Sequence, residues 1–155
     1  MKIEYGYTFG LPKGIVWREL KDENILRNSL PGCKSFIEKA KGFYQAELEI
    51  NIGPIEDVFI FEIWRNIEKS PSYYRLIVKG KGNLGEIDTT IDILMEESQG
   101  TTKLTFSADA QVMGALSLAG ERILAAGAKK SLESFFLKME KEIKRRLYQL
   151  KRGSR

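Results

Sequence analysis

Residues 100–136 read GTTKLTFSADAQVMGALSLAGERILAAGAKKSLESFF, and the period of their apolar positions changes partway along from two to about 3.6. Thr102, Leu104, Phe106, Ala108, Ala110 and Val112 alternate with polar residues, the pattern of a strand with one buried face. From Gly114 the spacing is helical, yet this predicted helix holds Gly114, Gly120 and Gly127. A glycine in a helix interior costs about 1 kcal/mol against alanine. At about 100° per residue, Gly120 and Gly127 share an inward face with Leu116 and Ile123, whereas Gly114 reads as a boundary. Ala128, Leu132, Phe135, Met139, Ile143 and Leu150 then form a stripe rotated by roughly 100° or more, which predicts a bend or a change of partner near Gly127. Two readings of the glycines stand open: close contact in a dry core, or widening of a cavity that faces the small Ala108 and Ala110.

Outward from this stretch, Ile3, Tyr5, Tyr7 and Phe9 form one face of a first strand. PKGIVWREL and DENILRNSL are short amphipathic segments, the first opened by Pro12 and the second ended at Pro31-Gly32, and they predict two short helices. Period two returns from Cys33. Tyr44, Ala46, Leu48, Ile50 and Ile52 share a face up to the Gly53-Pro54 turn; VFIFEIW is apolar on both faces, so its register is ambiguous and both sides can be covered. Tyr74, Leu76 and Val78 define another strand, and Ile87, Thr89, Ile91, Ile93 and Met95 the next. The order strand, two short helices, six strands, long helix predicts an α+β helix-grip fold: a curved antiparallel sheet of about seven strands wrapped around a long C-terminal helix.

At 155 residues, 43% hydrophobic and 30% charged, the chain suits one globular unit. It has no histidine and one cysteine, Cys33, which excludes Ser-His-Asp and Cys-His nucleophiles, Cys/His zinc sites and an internal disulfide; no cofactor or metal is expected. The start MKIEYGYTFG has no apolar signal core and no uncharged apolar run approaches bilayer length, so a cytoplasmic location is expected. From Lys138 onward eight basic residues face two acidic ones, a tail of +6 on a body of −2. The expected organisation is a helix-grip domain over 1–137 and a basic amphipathic helix extension over 138–155.

The segments SLPGCKSFIE, INIGPI, VKGKGNLG and above all residues 100–136 resemble the carbon monoxide dehydrogenase G-subunit family, within the START/Bet v 1-like superfamily. The resemblance covers roughly residues 3–137. It implies an apolar cavity, an accessory role beside an aerobic molybdenum hydroxylase, recruitment to the membrane and a lipophilic ligand such as a quinone. Leu116, Gly120, Ile123 and Gly127 match the family's cavity-facing helix positions. Two departures stand out. Asp57 and Phe61 follow the Gly-Pro turn where small residues are expected, so an inward Phe61 makes the pocket smaller; and the chain ends in a basic helix rather than an apolar anchor.

An enzyme of the superfamily's cyclase or hydratase type needs an inward acid or base. Glu47, Glu49, Glu86, Asp88, Asp92 and Asp109 point outward by register, and only Asp57 and Glu62, on opposite faces of the ambiguous strand, are placed to intrude. A carrier needs an apolar chamber with a few polar tips. The expected ligand-binding residues are Leu116, Gly120, Ile123, Gly127, Phe61, Phe106, Ala108, Tyr44 and Tyr74, the phenols as donors to a ligand carbonyl. For the tail, a solvated helix end competes with contact to an anionic membrane or a partner through Lys144, Arg145, Arg146 and Lys151. Nucleic acid is disfavoured, because the body is slightly acidic and has no aromatic-basic strand face. The expected function is a non-catalytic carrier of a quinone or lipid that links an enzyme to the inner face of the membrane. The alternatives are a cyclase-type enzyme and a structural adaptor with a filled core.

Overall fold

The computed structural model describes residues 1–153; Ser154 and Arg155 of the predicted extension lie outside the described residues. The chain runs β1 (Lys2–Phe9), α1 (Lys13–Glu19), α2 (Glu23–Ser29), β2 (Cys33–Ala40), β3 (Phe43–Ile52), β4 (Ile55–Lys69), β5 (Tyr73–Gly82), β6 (Gly85–Ser98), β7 (Thr101–Met113), a 3₁₀ turn (Ala115–Ala119) and α3 (Glu121–Gly153). The seven strands form one sheet in the order β1-β7-β6-β5-β4-β3-β2, every neighbouring pair antiparallel. This is the helix-grip arrangement that the strand pattern predicts. Short connections join β2 through β7 in sequence order, while α1 and α2 carry the chain from β1 at one edge to β2 at the other. Asp22 caps α2 by accepting from the amides of Asn24 (2.9 Å) and Ile25 (3.0 Å).

The register of β4 resolves the ambiguous stretch. Tyr44 pairs with Ile63 and Ala46 with Phe61, so Asp57, Phe59, Phe61, Ile63 and Arg65 face inward. The strand is covered on that side only, since Ile60 on the other is 42% exposed. Phe61 is buried and its ring lies over Gly80, where a Cβ would stand 2.5 Å from the ring. The side chain occupies a hollow that the glycine leaves in the sheet.

The helix starts later than its spacing predicts. Gly114 (φ 83°, ψ −160°) and Gly120 (φ 85°, ψ 148°) both take backbone conformations essentially confined to glycine, and between them the chain forms a 3₁₀ turn rather than α-helix. Leu116 from this turn is buried, and its amide donates to the Leu84 carbonyl at 2.7 Å. Gly120 is therefore the corner at which α3 begins, not part of its inner face. The change of phase at Gly120 also moves the inward position from Ile123, 47% exposed, to Leu124, which is buried. No break falls at Gly127. The stripe Leu124, Ala128, Leu132, Phe135/Phe136, Met139, Ile143, Leu147 runs through one continuous helix, and what changes along it is the partner: Leu124 packs in one buried group and Phe136, Met139 and Ile143 in another.

The boundary expected at residue 138 also lies within that helix. Met139 and Ile143 are completely buried beside Phe9, Val16, Trp17, Leu104 and Phe136, so α3 holds the body together well past it.

Gly127 is a contact glycine. A Cβ there would stand 2.5 Å from Cγ2 of Ile52, so it lets α3 approach β3. Gly127→Ala, which in an open helix stabilises by up to about 1 kcal/mol, is expected to lower stability here by about 1–2 kcal/mol through overpacking. In an Ile52→Ala background the same change is expected to be neutral or stabilising. Denaturant titration of the four-protein cycle checks this, and a Gly127→Ala protein more stable than wild type would contradict the contact.

Candidate functional site

The buried side chains fall into two groups. One gathers Phe9, Val16, Trp17, Tyr74, Leu104, Phe136, Met139 and Ile143 around α1 and the middle of α3. The other gathers Phe36, Tyr44, Ala46, Phe59, Phe61, Val78, Leu116 and Leu124 around the 3₁₀ turn and the start of α3. Leu26, Leu76 and Ile91 touch both groups and are only half-buried. They mark a seam. Along it the inward-facing Ile63, Thr89 and Phe106 are also half-buried, although they stand on interior strands of the sheet. Between Leu124 and Phe136, α3 places no fully buried side chain; it offers Ala125, Gly127, Ala128, Leu132 and Phe135, all half-buried. The main approaches of α3 to the sheet are to its flanks, β1 and β3. Half-buried apolar residues of the helix and of the sheet's middle strands are thus gathered along this seam.

Of the expected ligand residues, Leu116, Phe61 and Tyr44 come together in the second group and Tyr74 in the first, while Phe106 and Ala108 lie on the inner wall of β7. Gly120 and Ile123 stand away from the seam, and Gly127 meets Ile52. Leu124, missed because the helix phase was counted from Gly114, is the inward residue.

The polar groups of the inner face are few. Asp57 is buried, but its carboxylate accepts from the amides of Leu84 and Val58, each at 2.8 Å, and so ties the β5–β6 turn to β4. Glu62 is exposed on the outer face. The Tyr44 hydroxyl donates to the Lys21 carbonyl (3.1 Å) and accepts from Nη2 of Arg65 (2.8 Å). Burial pushes both Tyr44 and Tyr74 above the ordinary phenol value, so each stays neutral. Thr89 Oγ1 is shielded and has no hydrogen-bond partner. A separate hollow of about 630 Å³ lies on the outer face across β1, β7, β6 and β5, but charged residues such as Arg75, Lys79, Asp88, Asp92 and Asp109 wall it.

Three cations of the basic tail pair within the molecule, two of them on the surface of α3 itself. Lys144 pairs with Glu140 (2.8 Å) and Arg145 with Glu142 (2.7 Å), while Arg146 reaches Glu19 (2.6 Å) and Asp22 (3.1 Å). Glu19 is 3% exposed, so Arg146 neutralises a buried acid across 127 residues of sequence. That separation hides the pair from any reading of the tail alone. Lys151 stays on the exposed end of α3, near Tyr148 and Leu150, which are 61% and 63% exposed. Among the described residues no helix is long and apolar enough to cross a membrane.

A curved antiparallel sheet gripping a long helix is the fold of the START superfamily, and solved structures agree. The chain superposes on a START superfamily protein from Mycobacterium smegmatis with TM-score 0.67 at 13% identity, covering 93% of this chain and 97% of that one. An aromatase/cyclase, ZhuI, from Streptomyces sp. R1128 gives TM-score 0.71 at 13% identity over 95% of each chain. A conserved protein from Geobacillus kaustophilus is more similar, with TM-score 0.88, 29% identity, and 94% and 96% of the two chains covered. Comparison with curated protein sequences gives no match. The chain belongs to the CoxG family, the carbon monoxide dehydrogenase G-subunit family, whose sequence profile matches residues 10–144.

Burial works to raise the Asp22 carboxyl, but hydrogen bonds from Arg146 and from the Ile25 and Asn24 amides hold it below its ordinary value. Such a carboxyl contributes stability that is complete above its unfolded pKa, about 4, and is lost as the pH falls through the lower folded value. Arg146→Ala is expected to destabilise by about 1–3 kcal/mol, less than a sealed pair because Arg146 is 33% exposed and Arg18 still reaches Glu19. Below pH 4 the gap between variant and wild type is expected to shrink. Thermal melts from pH 3 to 7 measure both, and a gap that is constant with pH would contradict the Asp22 linkage.

Proposed function

We propose that the protein is a non-catalytic carrier that holds a lipophilic molecule, a quinone or lipid, in the seam between α3 and the middle strands. The observation that supports this most strongly is the half-buried state of Leu76, Ile91 and Phe106 on the inner wall, between two groups whose members are fully buried. Ligand pockets are commonly apolar, with a few placed polar groups. A carrier rather than an enzyme fits because the buried acids are occupied: Asp57 by backbone amides and Glu19 by arginines. Membership of the family supports service to a carbon monoxide dehydrogenase-type molybdenum enzyme. In this reading the exposed end of α3, with Tyr148, Leu150 and Lys151, is the surface offered to the inner face of the cell membrane.

Organic extraction of gently purified protein followed by mass spectrometry should recover a stoichiometric lipophile, or added quinone should bind the emptied protein. Ala108→Phe separates a chamber from a filled core. In a filled core the added ring overpacks at a cost of about 1–3 kcal/mol; in an open seam it should abolish binding with little loss of stability. Recovery of nothing, no quinone binding and a strongly destabilised Ala108→Phe would leave a structural adaptor. Failure to co-sediment with anionic vesicles would remove the membrane contact from the reading.

A further inference from the structure

The inner wall carries a cation that the carrier reading leaves unused. Arg65 follows Phe61 and Ile63 on the inward side of β4 and points its guanidinium between two tyrosines, with Cζ 5.8 Å from the Tyr44 ring and 5.9 Å from the Tyr74 ring. Nη2 donates to the Tyr44 hydroxyl at 2.8 Å, while Nε is shielded and has no acceptor. Among the described residues no carboxylate lies within ion-pair distance of Arg65. Two acids stand nearby without pairing with it: Glu68 on the same strand is bound to Lys21 and interacts with Arg65 only at longer range, and Glu38, beside the Tyr44 hydroxyl, accepts from the Gly42 amide at 3.4 Å. Aromatic faces attract a guanidinium but supply no in-plane acceptor for its N–H groups, and a shielded donor without an acceptor is costly. The ligand that answers a planar cationic fork best is a carboxylate.

The sheet register supplies the rest of the ligand. Arg65 pairs with Leu76, Leu76 with Ile91, and Ile91 with Ala108. These four inward side chains form one row across β4, β5, β6 and β7, about 14 Å long at the usual strand spacing. Leu76 and Ile91 in this row are the half-buried residues of the seam. A head group held at Arg65 therefore lays an apolar tail along the seam.

We propose that Arg65, framed by Tyr44 and Tyr74, is the head-group site of the chamber and that it selects an amphipath with an ionised carboxylate head, such as a long-chain acid. The assignment rests on the carrier reading and narrows its ligand class. The guanidinium forms the ion pair, the two rings shield it from water, and Leu76 and Ile91 take the first part of the tail.

Calorimetric titration of the full chain with dodecanoate, dodecanol and the water-soluble quinone menadione tests this at pH 7.5. Wild type is expected to bind dodecanoate about tenfold or more tightly than dodecanol, the scale of a charge-assisted pair. Arg65→Met is expected to remove that preference, bringing acid and alcohol to similar affinity, and Arg65→Lys to restore part of it. The wild-type comparison decides the matter even if Arg65→Met does not fold. Equal binding of acid and alcohol by wild type, or undiminished dodecanoate binding by Arg65→Met, overturns the assignment. Binding of menadione without dodecanoate overturns it and leaves the chamber standing; binding of none of the three counts against the chamber itself.

Discussion

One helix has to close a sheet much wider than itself. Seven strands at about 4.8 Å span roughly 29 Å between the outer two, whereas a helix with its side chains is about 10–12 Å across. Curvature brings β1 and β3 towards α3, and α1 and α2 fill one end, but one apolar stripe cannot cover the middle strands along its whole length. The molecule meets the constraint by sealing α3 at two places. Leu124 and the 3₁₀ turn close one end, and Phe136, Met139 and Ile143 close the other. The stretch between them is left with small or half-buried residues.

The anchoring at the far end is more elaborate than apolar packing requires. Arg146, three residues beyond the buried Ile143, binds both the buried Glu19 of α1 and Asp22, the cap of α2. On the opposite face Glu140 accepts from Tyr7 (2.8 Å) and the Gly10 amide (3.3 Å), joining α3 to β1 and the loop after it. Burial alone would raise the Glu140 carboxyl, but bonds from Lys144, Tyr7 and Gly10 hold it below its ordinary value. The basic character of the chain's end therefore serves its fold as well as its exterior. Two glycines likewise serve the fold: Gly120 makes a corner and Gly127 a close contact with Ile52.

What could be read in advance follows from the range of each interaction. The buried faces of β1, β3, β5, β6 and β7 were legible because alternation is a local signal and each of these strands buries one face. The start of α3 was not, since the residues after Gly114 satisfy helical spacing equally well as a 3₁₀ turn followed by a helix with a new phase. That shift of phase is why Ile123 was expected inward and Leu124 was not. The inward direction of Arg65 became visible only once pairing with β3 had set the register of β4, because VFIFEIW is apolar on both faces. Arg146 was legible as a cation in a basic tail, but its partners lie 127 and 124 residues away.

The central claim is that the seam between the two buried groups is a ligand chamber, and methyl NMR tests it residue by residue. With selectively labelled isoleucine and leucine methyls, titration of a quinone or long-chain acid is predicted to shift Leu76, Ile91 and Leu132 strongly, and Leu104 and Ile143 in the sealed group scarcely at all. Shifts confined to exposed residues such as Ile60, Ile123 and Leu150, or spread evenly through both groups, would contradict it.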